Sequence, residues 1–93
     1  MQLVGNFATP NASKYLQQLC KHFAHKIEVS FDETSGRIPF TLGLAEVSAS
    51  DGALQVRFAE VADDQRADAK SVIDRHLERF AFREGFTAMN WQD

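Results

Sequence analysis

The sequence predicts an α+β fold, a two-layer sandwich in which an antiparallel sheet of four to six strands carries two helices on one face. Three observations predict it. Apolar residues recur at helical spacing in two segments, about residues 10–25 and from Asp63 or Asp64 to about Glu84. Between them apolar and polar residues alternate, the pattern of strands with one face in a core and the other in water. Asp51-Gly52 lies between two such alternating runs, and this pair is favoured in two-residue hairpin turns. The resulting order is β-α-β-β-β-β-α, with the tail through Trp91 read as a last short strand.

The first strand rests on the alternation of Leu3, Gly5 and Phe7. Thr9-Pro10 then starts a helix, because Thr caps free amides and Pro suits the first helical position. Ala12, Leu16, Leu19 and Phe23 form its apolar stripe, with Cys20 on the far flank. Ile27, Val29 and Phe31 alternate next, followed by Ile38, Phe40 and Leu42. A turn over 33–36 would set Phe31 against Ile38 and Asp32 against Arg37, and Pro39 should lie at an edge or bulge. Gly43 ends that run and the parity changes. The Asp51-Gly52 hairpin then pairs Ala49 with Leu54, Val47 with Val56 and Ala45 with Phe58, while Glu46 meets Arg57 on the other face. In the second helix the expected stripe is Ala69, Ile73, His76 and Phe80, flanked by Val72 and Leu77. Acidic residues near its start and Arg79 and Arg83 near its end complement the helix dipole. Gly85 is a left-handed stop, with Phe86 packing back near Phe80.

At 93 residues the chain is read as one domain, residues 1–93, and 44% hydrophobic content with eight Phe supplies one core. A net charge of −3 argues against nucleic acid or an anionic membrane as a partner. With Cys20 the sole cysteine, neither an internal disulfide nor a multi-cysteine metal site can form. The first residues lack the basic-then-apolar pattern of a signal peptide, and no apolar run reaches membrane-spanning length, so a cytoplasmic location is expected. No phosphate loop, nucleophile elbow or zinc-ligand set is present in the sequence, and no cofactor is implied.

Three constellations carry chemistry. His76, on the second helix's apolar stripe, is either hydrogen-bonded to a backbone carbonyl or carboxylate, or a ligand or acid–base group in a pocket. His22 and His25 stand about one turn apart near the end of the first helix. Such a pair chelates a divalent metal only with further ligands, and it also complements the dipole with no other role. Arg75, Arg79 and Arg83 form a ridge suited to a carboxylate or phosphate, or to pairing with Asp68, Asp74 and Glu78. Phe82 beside it points away from the stripe, covered by the tail or serving as a subunit interface.

The segments Tyr15–Lys26 and His76–Glu84, with the Phe31…Gly36 turn and Trp91, resemble the small bacterial proteins grouped as domain of unknown function 2218. The resemblance spans nearly the whole length and implies no activity or catalytic residue. It does imply an iron-acquisition setting, since the family domain also occurs fused to siderophore-interacting reductases. The segments that carry it include His22, His25, His76, Arg79 and Arg83. The first expectation is therefore a non-enzymatic binding or accessory domain for an anionic small molecule or iron chelate, with those five residues as the ligand-binding set. The second is a homodimeric interaction module using a sheet edge or Phe82. The third is a small enzyme with His76 as acid–base.

Overall fold

The computed structural model describes residues 2–92. One six-stranded antiparallel sheet, in the order β2-β3-β4-β5-β1-β6, carries two helices. Its elements are β1 (Leu3–Ala8), α1 (Ala12–Phe23), β2 (Ser30–Phe31), β3 (Ser35–Phe40), β4 (Gly43–Ser50), β5 (Ala53–Phe58), α2 (Arg66–Ala81) and β6 (Asn90–Gln92). Short 3-10 turns, Asp63–Gln65 and Phe82–Glu84, bracket α2. The predicted α+β class and element order hold, including the last strand.

The core lies between the sheet and the helices. Leu3, Ile38, Ala45, Val47, Leu54, Val56 and Phe58 point into it from alternate strand positions, and Leu16, Leu19, Cys20, Ile73 and Leu77 meet them from the helices. Because strand side chains alternate, the other sheet face is left polar and open. The β4–β5 hairpin has the predicted register: Ala45↔Phe58, Val47↔Val56 and Ala49↔Leu54, with Glu46 opposite Arg57 and an ion pair between them at 3.3 Å. At its turn Gly52 has φ +84°, and a Cβ there would meet nothing within 4 Å. Replacing Gly52 with Val is therefore expected to cost about 1–3 kcal/mol through backbone strain alone. A urea midpoint equal to that of wild type would contradict this.

Four details differ from the sequence reading. First, α1 begins at Ala12 rather than at Pro10, and the Thr9 hydroxyl accepts the Asn11 amide at 3.1 Å instead of capping a helical residue. Cys20 is also fully buried among the core residues, not on a flank, and burial pushes its thiol up to about 11. Second, β2 is only two residues, and Ser30 pairs Arg37 while Phe31 pairs Gly36. Phe31 thus does not face Ile38, nor Asp32 Arg37. The reason is the Asp32 carboxylate, whose Oδ1 accepts the amides of Thr34 (2.8 Å) and Ser35 (2.9 Å) and so builds the turn itself. Those bonds hold Asp32 below the usual carboxylate range. Pro39 does lie beyond the end of β2, where β3 has no outer partner.

Third, the buried line of α2 is Ala69, Ile73, Leu77 and Ala81, with His76 and Phe80 half-buried on its flank. Fourth, Gly85 is the left-handed stop (φ +74°), but the Phe86 ring packs on Phe7, their centroids 4.7 Å apart. The tail then runs to β6 beside β1, which leaves Phe82 uncovered and 61% exposed.

Candidate functional site at the helix seam

Helices α1 and α2 lie side by side on the sheet, and the sequence-predicted residues sort themselves along their seam. His22, in the last turn of α1, meets His76 of α2 with ring centroids 4.7 Å apart. Phe23 packs against both imidazoles, 5.2 Å from His22 and 4.7 Å from His76, and Phe80 lies 6.3 Å from His22. Phe40 backs Phe23 in an edge-on contact at 4.9 Å. Two imidazoles therefore share an aromatic wall that fixes their ring planes.

His76 Nδ1 lies 2.6 Å from the Val72 carbonyl oxygen, one turn back on its own helix. A carbonyl only accepts, so Nδ1 carries the proton. In the neutral ring Nε2 keeps the lone pair. This is the backbone-bonded arrangement expected for a histidine on a helix face, with one nitrogen left over for a ligand.

Burial holds the His22 pKa below the ordinary imidazole value, and the nearby charges of His76, Arg79, His25 and Lys26 push it the same way. Arg79, exposed on α2 three residues beyond His76, lies near enough for its charge to act on His22. His25 is exposed beyond the end of α1, at the rim. Arg83 is directed elsewhere, its guanidinium 5.7 Å from the centroid of the exposed Phe82 ring. The five predicted site residues thus divide into His22, His76 and Arg79 at the seam, His25 at its margin, and Arg83 with Phe82. Among the described residues, no three His, Cys, Asp or Glu side chains are grouped to hold a metal ion.

One constellation had not been read from the sequence. The Glu84 carboxylate, just past α2, accepts hydrogen bonds from the Thr9 hydroxyl (2.8 Å), the Asn11 side-chain amide (3.0 Å) and the Tyr15 hydroxyl. The Tyr15 bond is the main reason that Glu84 is held below the usual carboxylate range and the phenol above its own. The network ties the end of one helix to the start of the other. Its only signal in the sequence was Thr9, read as a local cap, because Glu84 lies 75 positions away.

The fold and seam define an open-faced α+β sandwich with a basic, aromatic-walled junction between its two helices. The chain belongs to the DUF2218 family, described as an uncharacterized protein conserved in bacteria, whose model matches residues 4–92. It is similar to PA4090 from Pseudomonas aeruginosa, whose structure was determined by NMR. The two are 28% identical, with 98% of this chain and 94% of that one covered and a TM-score of 0.77. No curated protein matches the chain. No helix among the described residues is long and apolar enough to cross a membrane.

Proposed function

We propose that this protein is a non-enzymatic binding or accessory domain that takes a small anionic ligand at the helix seam. The ligand class that the family resemblance favours is an iron chelate bearing carboxylate or catecholate groups. The observation that carries the proposal is the contact of His22 with His76 at 4.7 Å, with the positive charges of Arg79 and Lys26 near enough to act on His22. An anion placed there interacts favourably with those positive charges. The guanidinium supplies a forked donor to an oxyanion, the imidazoles supply further donors when protonated, and the half-buried Phe80 ring offers an apolar edge to a flat ligand. Bare metal binds weakly here, since two imidazoles fall short of a full coordination set.

The test is a titration with ferric citrate, citrate and free divalent zinc, followed by the NMR shifts of His22 and His76. Ferric citrate or citrate is expected to bind saturably, and Arg79→Ala to weaken that binding by about tenfold or more, the loss of one charge-assisted contact. No saturable binding by either would refute the proposal. A second reading, a homodimeric interaction module, is favoured by Phe82, 61% exposed beside Arg83. Solution mass decides it: a dimer that Phe82→Ala dissociates would support that reading.

A further inference from the structure

On the sheet face opposite the helices, two adjacent cross-strand rows enclose a depression of about 350 Å³. One row is Arg37–Glu46–Arg57 and the next is Ser35–Ser48–Gln55, each running from β3 through β4 to β5. Gly36 and Val47 turn inward between them, so the floor is backbone and the walls are the six polar side chains. The volume is at the small end of the range for small-molecule sites, roughly 300–1,000 Å³. None of these residues belongs to the helix seam.

The charges in this depression are unevenly used. Arg57 Nη1 donates to Glu46 Oε1 at 3.3 Å, and both side chains are 44% exposed, so the pair is weak and readily opened. Gln55 is tied to Asn6 by a side-chain bond of 3.1 Å. Arg37 lies on the other side of Glu46 and is exposed, and its side chain has no ion-pair or hydrogen-bond partner among the described residues. Two guanidiniums and one carboxylate leave a net charge of one positive unit. The guanidiniums can only donate and the carboxylate can only accept, while the Ser48 hydroxyl does either and the Ser35 hydroxyl, which donates to Asp32 Oδ1 at 3.3 Å, keeps its acceptor capacity.

We infer that this depression binds a small hydroxylated carboxylate, its anionic group on Arg37 and a neighbouring hydroxyl donating to Glu46. Charge complementarity selects a monoanion. Arg37 grips the carboxylate with two parallel N–H bonds. Glu46, one strand away (about 4.8 Å), rejects a ligand that brings a second anionic group to its position and rewards one that brings a hydroxyl. Ser35 and Ser48 line the side on which the remaining hydroxyls lie. The site would therefore tell a sugar acid from both a neutral sugar and an inorganic oxyanion.

The probe is sodium gluconate, titrated into the full chain and followed by backbone amide NMR, with glucose and sodium sulfate alongside. Gluconate is expected to give saturable shifts at Gly36, Ser48 and Gln55, glucose none, and sulfate binding weaker by about tenfold, the scale of one charged contact. Arg37→Ala, an exposed change that leaves the amide spectrum otherwise intact, should weaken gluconate by about tenfold or more. Glu46→Gln should narrow the preference for gluconate over sulfate. Arg79→Ala, at the helix seam, should leave gluconate binding unchanged, which separates this inference from the seam proposal. The inference is overturned if gluconate does not saturate, if glucose or sulfate binds as well, or if Arg37→Ala has no effect. Shifts confined to the His22–His76 seam, or a dimer whose interface covers this face, would overturn it too.

Discussion

Phe58→Ala is expected to destabilise the protein by about 3–5 kcal/mol, the range for deleting a fully buried aromatic ring. Phe58 is completely excluded from solvent, opposite Ala45 of β4 and Leu3 of β1, with the Phe40 ring centroid 6.3 Å away. Ala45 is the small partner that makes room for the ring. The cavity left by truncation cannot close easily, because β5 is hydrogen-bonded on both sides and neither neighbouring strand can move in without breaking its ladder. Domains of this kind are stable by about 5–15 kcal/mol in total, so the loss is a large fraction. The urea midpoint should fall steeply with an unchanged slope. Phe82→Ala, which removes an exposed ring of the same size, should stay within about 0.5 kcal/mol of the wild-type monomer. A smaller loss for Phe58 than for Phe82 would mean that β5 is not where the structure puts it.

The contrast between two hairpins shows what patterning can and cannot decide. In β4–β5 two independent patterns, small against large on one face and Glu46 against Arg57 on the other, agree on a single register, and the structure has it. In β2–β3 the only guides were alternation and one opposite-charge pair. They set Asp32 against Arg37, yet its carboxylate accepts the turn amides instead, which shifts the register by two residues. An even shift keeps every side chain on its own face, so alternation had no power to detect it. The helical stripe misled for a related reason. His76 and Leu77 lie on opposite sides of Ile73 on the wheel, about 100° apart, and only the packing angle of α2 on the sheet makes Leu77 the buried one.

The candidate seam was visible as residue types but not as an arrangement. Spacing put His22 on a flank of α1 and His76 with Arg79 on α2. Whether those flanks meet depends on how the helices cross, which periodicity along one helix does not encode. The crossing brings His22 to His76, while the same helical turns carry Arg83 away to Phe82. The Glu84 network joins residues 75 positions apart, and no local pattern exists to read it, whereas in the open-face depression the Glu46–Arg57 pair was legible from the hairpin and only the β3 side of each row was not.

Asp74→Ala is expected to cost about 2–4 kcal/mol, because it removes two hydrogen bonds to a charged acceptor and leaves both donors without a partner. Asp74 projects from α2 toward the last strand, where Oδ1 accepts the Met89 amide at 3.0 Å and Oδ2 accepts the Trp91 indole N–H at 2.9 Å. Strand β6 is three residues long and pairs only with β1, so its own ladder is too short to hold it. Its anchor is the Trp91 ring, which lies so close over Gly5 that a Cβ there would come within 2.8 Å of it. Asp74 fixes the indole in that position. Part of the gain is offset, since burial raises the Asp74 pKa and so penalises the charged form, against the two hydrogen bonds and Lys70, which favour it. The sign of the pH dependence follows. With its folded pKa raised, the native state takes up a proton before the unfolded chain does, whose Asp titrates near about 3.9. Stability contributed by this group therefore rises as pH falls through the folded pKa, and the gap between wild type and Asp74→Ala should widen there. Asp74→Asn, uncharged but still able to accept from one donor, should lose less than Ala. The readouts are urea denaturation across the carboxylate pH range, hydrogen exchange of the β6 amides, and Trp91 fluorescence, which should shift to the red as the indole meets water. If the gap instead closed in acid, with β6 still protected from exchange in Asp74→Ala, then β6 would be held by Trp91 packing on Gly5 alone and the carboxylate would not be its anchor.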